Sequence, residues 1–416
     1  MSLPGREREF DLDPFRGVVC LWLTGMHLCW MSEVHPALVR LVPAGVPDAA
    51  YRWRLGVESF LILAGFMTAH MLRPNPGESV RLGTFCLRRA CRLVLPFGVA
   101  VLWAAADRWA AYLLFGRGVG RPDLPAVLSQ LLLVNEWVGV PEAAVGYWTL
   151  ATLEQVSLLG AAALAIVCCW TANGRSGRYE VAYARMGPIA LAPFLGSGAA
   201  FLLAPDLPVT LPRYAFYVAL GGLLYGHARL GLYRWEFPAA LGALIAVAVL
   251  TQHSRLTAAV VAVGTLSVLA RGARFPGGPA VAALRFIGQR SYSLYLVHAI
   301  LGIRVTSLWK ILGGYPDWVA IPLVLAAAAA SLAGAAVFYR WIERPCQALA
   351  SRFAYRVPAA GADGRISGAT DGPASSPPRS APATAHVRSG VFRATLADTG
   401  IPAIGFRSVC PADEKR

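Results

Sequence analysis

Apolar residues in this chain fall into long, nearly uninterrupted runs, separated by short loops in which arginine is frequent. About ten of these runs approach membrane-spanning length, over residues 15–34, 55–72, 94–115, 148–170, 187–204, 212–230, 236–252, 256–270, 286–306 and 318–341. In lipid every backbone polar group must be satisfied within the chain, and a continuous apolar run does so as a helix. The pattern predicts an all-α, polytopic membrane protein with about ten transmembrane helices. The run 124–134 is too brief to cross and reads as an interfacial or re-entrant helix. The first run is not a cleavable leader, because its flank Arg6–Glu7–Arg8–Glu9 is mixed in sign and no small-residue cleavage site follows at the right distance.

Composition agrees. Of the 416 residues, 56% are hydrophobic and 15% charged, where a soluble domain would carry about a quarter charged. Twelve Trp, 17 Phe and 14 Tyr exclude disorder for most of the chain. The net charge of +15 sits in short loops between apolar runs, which points to a membrane face rather than to nucleic acid. With the N-terminus inside, the four inner loops hold 14 arginines against 9 Arg or Lys in the five outer ones, so both termini are expected in the cytoplasm. The protein then belongs in the cell membrane as a multi-pass chain. The eight cysteines show no paired spacing, and neither a metal site nor a disulfide framework is expected. Residues 1–14 read as a cytoplasmic N-terminus and 15–346 as the membrane domain. The stretch 355–416, rich in Ala, Pro, Gly and Ser, reads as a disordered cytoplasmic tail with no second folded domain.

Charges inside a span cost about 2.5–3.5 kcal/mol each at a helix centre, so each asks for a reason. Arg16 and His27 share the first span, eleven residues and about 16 Å of helix rise apart. At about 100° per residue both project from one stripe. This is either a reaction path with a cation at its inner mouth, or a snorkelling arginine beside a hydrogen-bonded core imidazole. Glu154 lies six residues into the fourth span, counted from its outer end at Trp148, at a depth expected to match His27. A carboxylate there needs a cation or a proton, and an imidazole is a natural partner. A His27–Glu154 base-and-orienter pair is therefore expected, against a packing hydrogen bond elsewhere.

Arg88, Arg89 and Arg92 cluster at the start of the third span, where guanidinium forks suit phosphate, although the same cluster also serves as a topology signal. Glu58 is either an interfacial charge or part of an acceptor site. Asp107 and Arg108 read as neutralising each other locally or sitting at the interface, His70 as interfacial, and His298 as a structural hydrogen-bonding group or a participant in chemistry. No Walker loop, dinucleotide fingerprint, HExxH or GxSxG stands in a credible context.

These motifs together resemble the acyltransferase 3 family of integral membrane O-acyltransferases. Leu12-Asp-Pro-Phe-Arg16-Gly17, followed by His27, is similar to the family's opening, and Val57-Glu-Ser-Phe-Leu-Ile-Leu-Ala-Gly65-Phe66 to its second-span signature, with Glu58 where Asp is usual. Arg88-Arg89-Ala-Cys-Arg92-Leu-Val-Leu-Pro96 resembles the basic lead-in to the third span, and Trp148-Thr-Leu-Ala-Thr-Leu-Glu154-Gln155 the Trp-Ser-Leu…Glu-Glu-Gln motif, with Leu153 in place of the first Glu. Ser291-Tyr-Ser-Leu-Tyr-Leu-Val-His298 and Trp341-Ile-Glu343-Arg-Pro345 resemble the last two signatures. The resemblance covers about 10–346. It implies transfer of an acyl group, usually acetyl from acetyl-CoA, to a hydroxyl of a sugar, glycan or lipid-linked acceptor. It assigns CoA recognition to Arg16, Arg88, Arg89 and Arg92 and catalysis to His27, which leaves Glu58, Trp148 and His298 as candidates for the acceptor side. The rival class is a transporter of a small anionic or sugar-like solute, since intramembrane charges also line transport paths. The two halves of the membrane domain show no internal symmetry of the kind transporters carry.

Overall fold

Each of the ten apolar stretches contains a helix. The computed structural model describes residues 10–43, 56–75, 78–115, 124–142, 144, 146–170, 178–204, 211–311 and 316–358, all inside one unit, Met1–Ala362. In chain order the elements are α1 (Asp13–Trp30), α2 (His35–Leu41), α3 (Gly56–Leu72), β1 (Glu78–Val80) and α4 (Leu82–Arg89), then a π-helical turn Ala90–Val94 that runs into α5 (Leu95–Phe115). There follow α6 (Leu124–Leu131), α7 (Tyr147–Trp170), α8 (Arg178–Leu203), α9 (Leu211–Leu230), α10 (Glu236–Thr251), α11 (Ser254–Ala270), α12 (Pro279–Gln289) and α13 (Ser291–Ile311). The chain ends in α14 (Ala320–Phe338), a second π-helical turn Tyr339–Glu343, α15 (Arg344–Ser351) and β2 (Arg356–Pro358).

The helical segments Leu82–Leu113, Tyr147–Trp170, Tyr179–Leu203 and Asp317–Ser351 are long and apolar enough to cross a membrane, and α1 with α2, bent by 97°, makes a fifth if the pair forms one span. The chain is a multi-pass, all-helical membrane protein. Helix length alone does not reproduce the count of ten. The apolar helices α3, α10 and α11 have 17, 16 and 17 residues, or about 25 Å of rise against a hydrocarbon core of about 30 Å. Three boundaries also differ from expectation. Residues 178–186, assigned to a loop, are the start of α8. The ninth stretch breaks at Arg290 between α12 and α13. Finally, residues 356–358 of the expected tail form β2, antiparallel to β1 with Val80 opposite Arg356; the tail beyond 358 lies outside the described residues.

Small residues set the closest approaches, as is usual where helices pack without a hydrophobic driving force between them. A Cβ on Gly65 of α3 would strike the Val218 carbonyl oxygen of α9, and one on Gly221 of α9 would strike that of Ile62. These two helices therefore touch backbone to backbone. Helices α1 and α12 do the same at Gly17 and Gly288, which meet the carbonyl oxygens of Leu284 and Asp13. The second contact locks the Arg16 end of α1 against the segment leading into α13, so the two helices that carry the histidines are held in register.

Candidate functional site

Two neighbouring cavities lie along α1. The larger, of about 600 Å3, is lined by Arg16 of α1, Arg88 and Arg89 of α4, Arg92 of the first π-helical turn, and Tyr339 and Glu343 of the second. A π turn inserts one extra residue and re-aims the side chains around it, and such turns gather at functional sites. Here both border one cavity.

Its four guanidiniums differ in their partners. Arg89 is buried and donates through Nε to Glu154 Oε2 at 2.9 Å, and through Nη1 to Thr68 Oγ1 at 3.4 Å. Arg16 donates to Ser291 Oγ at 2.8 Å and lies 3.6 Å from Asp13. Arg88 donates to the Phe353 carbonyl at 3.3 Å and rests 5.3 Å from the centre of the Tyr355 ring. Arg92 makes no hydrogen bond or ion pair among the described residues, and it keeps an open face because the cavity runs past it. Glu343 accepts from Ser293 and from Gln347, the latter at 2.7 Å, and is one carboxylate facing Arg16 and Arg92 in a wall of four guanidiniums. The wall therefore offers positive charge that the protein has not consumed, which suits a phosphorylated ligand.

The second cavity, of about 200 Å3, is a chamber lined by Trp22, His27, Glu58, Glu142, Trp148 and Arg255, among others. Leu23, Val57, Thr149 and Tyr295 line both cavities and form the neck between them. His27, on α1, is buried beside His298 of α13, with Nδ1 2.7 Å from His298 Nε2 and the rings stacked at 5.0 Å between centroids. His298 Nδ1 faces two carbonyl oxygens, Tyr295 at 2.8 Å and Leu294 at 3.1 Å. Carbonyls only accept, so that nitrogen carries the proton and Nε2 of the neutral ring has the lone pair. His27 Nδ1 must then be the donor between the rings, which leaves His27 Nε2 as its basic nitrogen.

The expected His27–Glu154 pair is not formed. Glu154 faces Arg89 on the basic side, and His298 holds the position next to His27. From α7 it is Trp148 and Thr149 that line the chamber with His27, and Glu154 lies five residues beyond Thr149, about 7.5 Å further along the helix. Asp107 takes its hydrogen bonds from Arg304 rather than from its neighbour Arg108. Asp107 accepts two hydrogen bonds from Arg304 Nε and Nη2 at 2.8 and 2.6 Å, and Arg108 donates to the Glu142 carbonyl at 3.1 Å. His70 is half-buried at the basic cavity, near Arg73 and 3.2 Å from the Tyr225 hydroxyl.

Glu58 is buried in the chamber wall with one oxygen 3.7 Å from Arg255 Nε, and Arg255 donates to the Tyr214 hydroxyl at 2.6 Å. Trp148 packs on that same tyrosine, ring centroids 4.8 Å apart. Glu142 accepts from the Trp148 backbone N–H at 3.1 Å, capping the start of α7, and burial pushes its carboxyl up to about 7. Glu142 and Arg255 carry no local signal that singles them out, because they come from loop and helix segments far apart in the chain. Ser291, Tyr295 and Glu343 were within reach, since they stand inside the quoted signatures.

No curated protein and no solved structure matches the chain. A family model for the acyltransferase domain, acyltransferase 3, matches residues 9–340, which include the histidine pair, the lining of the chamber and all of the basic cavity's lining except Glu343, Gln347 and Tyr355. The chain belongs to the acyltransferase 3 family.

Proposed function

We propose that the protein is a membrane O-acyltransferase that moves an acyl group, in the simplest case acetyl, from acyl-CoA to a hydroxyl of a sugar, glycan or lipid-linked acceptor. The observation that carries this reading is the adjacency of the arginine-lined cavity and the chamber that holds His27, which share Leu23, Val57, Thr149 and Tyr295 in their linings. The phosphates of the donor pair with Arg92, Arg88 and Arg16, while Arg89 is held in place by Glu154. The narrow pantetheine arm then runs to the neck and presents the thioester there. From the chamber, the acceptor hydroxyl gives its proton to His27 Nε2 as its oxygen attacks the thioester carbon. His298 keeps the proton of His27 on Nδ1 and so keeps Nε2 available, the orienting role that a carboxylate fills in other triads. Aromatic Trp148 and Trp22 beside Glu58, Glu142 and Arg255 make a chamber suited to a compact polyhydroxylated acceptor.

In this reading the ten apolar helices all belong to the membrane domain and both termini are cytoplasmic. The basic cavity then opens to the cytoplasm of a cell-membrane protein, where acyl-CoA is found. The test is purified protein in nanodiscs with labelled acetyl-CoA. Release of the CoA thiol with label transferred to acceptor is expected, and His27→Ala should abolish it while remaining folded and inserted. Solute movement without thiol release would favour a transporter instead, and full activity in His27→Ala would end the proposal.

A further inference from the structure

The neck contains two hydroxyls, and they are not equivalent. Tyr295 donates its proton to the Gly146 carbonyl oxygen. Thr149 Oγ1 is fully buried and makes no hydrogen bond of good geometry among the described residues; the acceptor it faces is the Tyr295 hydroxyl oxygen. A threonine in a helix commonly bonds back to the preceding turn; Thr149 does not, and a buried hydroxyl without a well-aligned partner is destabilising. Its residue is 5% exposed, and what surface it keeps faces both cavities.

Position strengthens the case. Thr149 is the third residue of α7, and the helix start is also where the positive end of its macrodipole lies. The first three backbone N–H groups there are already spent: Tyr147 on Ala144 O at 3.3 Å, Trp148 on Glu142 at 3.1 Å and Thr149 on Gly146 O at 3.0 Å. The side-chain hydroxyl, turned to Tyr295, is the donor that can be redirected. A Cβ placed on Gly146, one helical turn away, would lie 3.4 Å from His27 Cε1 and 3.9 Å from the Tyr295 hydroxyl, so the histidine edge, the tyrosine and the start of α7 converge on one point.

We propose that Thr149 is a further catalytic residue, whose hydroxyl donates to the thioester carbonyl oxygen as that oxygen becomes anionic. The inference rests on the acyl-transfer reading above. As the acceptor oxygen bonds to the carbonyl carbon and its proton passes to His27 Nε2, the carbonyl electron pair moves onto oxygen, where Thr149 O–H meets it. When that pair returns, the carbon–sulfur bond breaks and the CoA thiolate leaves with the proton from His27. The hydroxyl, poorly satisfied by Tyr295 in the free protein, thus gains a full partner in the transition state, which is where an interaction accelerates the reaction.

The experiment measures kcat and KM for acetyl-CoA by thiol release in nanodiscs, with envelope lipid-linked glycan as acceptor, for wild type, Thr149→Ala, Thr149→Val and Thr149→Ser. Removing one such donor costs about 10²–10³ in kcat, so Ala and Val should both fall by about 10²-fold with KM little changed, and Ser should recover most of the loss. Should one of the apolar variants fail to fold, the other against Ser decides. Wild-type kcat in either apolar variant, or a loss confined to KM, overturns the role of Thr149 while an inactive His27→Ala keeps the parent reading. Wild-type protein that turns over no acetyl-CoA overturns both.

Discussion

His27 and His298, 271 positions apart in sequence, are joined through Nδ1 and Nε2 at 2.7 Å, and the direction of that bond is dictated from outside the pair. The Tyr295 and Leu294 carbonyls hold the proton on His298 Nδ1, and every assignment between there and the chamber follows from it. Replacing His298 by Ala should therefore lower kcat by about 10²-fold or more, because His27 loses the group that fixes its tautomer. KM for acetyl-CoA should move little. Equal kcat in His298→Ala and wild type, measured by thiol release on protein of unchanged melting temperature, would show that the pairing has no bearing on turnover.

Glu154 belongs with the arginines, so its variants should report on donor binding and stability rather than on the chemical step. Glu154→Leu strands the buried Arg89 guanidinium, and breaking a buried pair from one side costs about 3–5 kcal/mol. Arg89→Met with Glu154→Leu should recover most of the lost melting temperature but not the affinity for acetyl-CoA. A Glu154→Gln protein with normal KM and a collapsed kcat would contradict this placement.

Arg92 tests the charge of the basic cavity most cleanly, because it makes no ion pair among the described residues that a substitution would orphan. Arg92→Ala should weaken acetyl-CoA binding by about 10- to 100-fold, the range expected for a charge-assisted hydrogen bond to phosphate. Calorimetric titration reads this directly, alongside an unchanged melting temperature. The affinity of wild type should fall with added salt more steeply than that of the variant.

Glu142 predicts a pH dependence of stability. Burial raises its carboxyl from the ordinary 4.5 to about 7. Between those values the folded protein holds a proton that the unfolded chain has released. Its contribution is full below 4.5 and is lost as pH rises through 7. Melting curves of wild type should decline over that window, and those of Glu142→Gln should be flatter. Parallel curves would place the titration elsewhere.

Much of this molecule follows from local pattern. Ten apolar runs become helices because a backbone removed from water has few other ways to pair its own groups. A step of eleven positions from Arg16 to His27 puts one on the basic cavity and the other in the chamber, because a helix of 3.6 residues per turn returns nearly to the same face. The arginine cluster at 88–92 is equally plain to read. What pairs across helices is another matter. Counting residues from Trp148 put Glu154 level with His27, but a hydropathy profile carries no information on how far one helix slides or tilts against another. Such offsets depend on the shapes of two surfaces at once, as where Gly17 and Gly288 seat α1 on α12 and Gly65 and Gly221 seat α3 on α9. Tertiary packing alone therefore decided that His298 orients His27, that Glu154 holds Arg89, and that Thr149 stands in the neck between the two cavities.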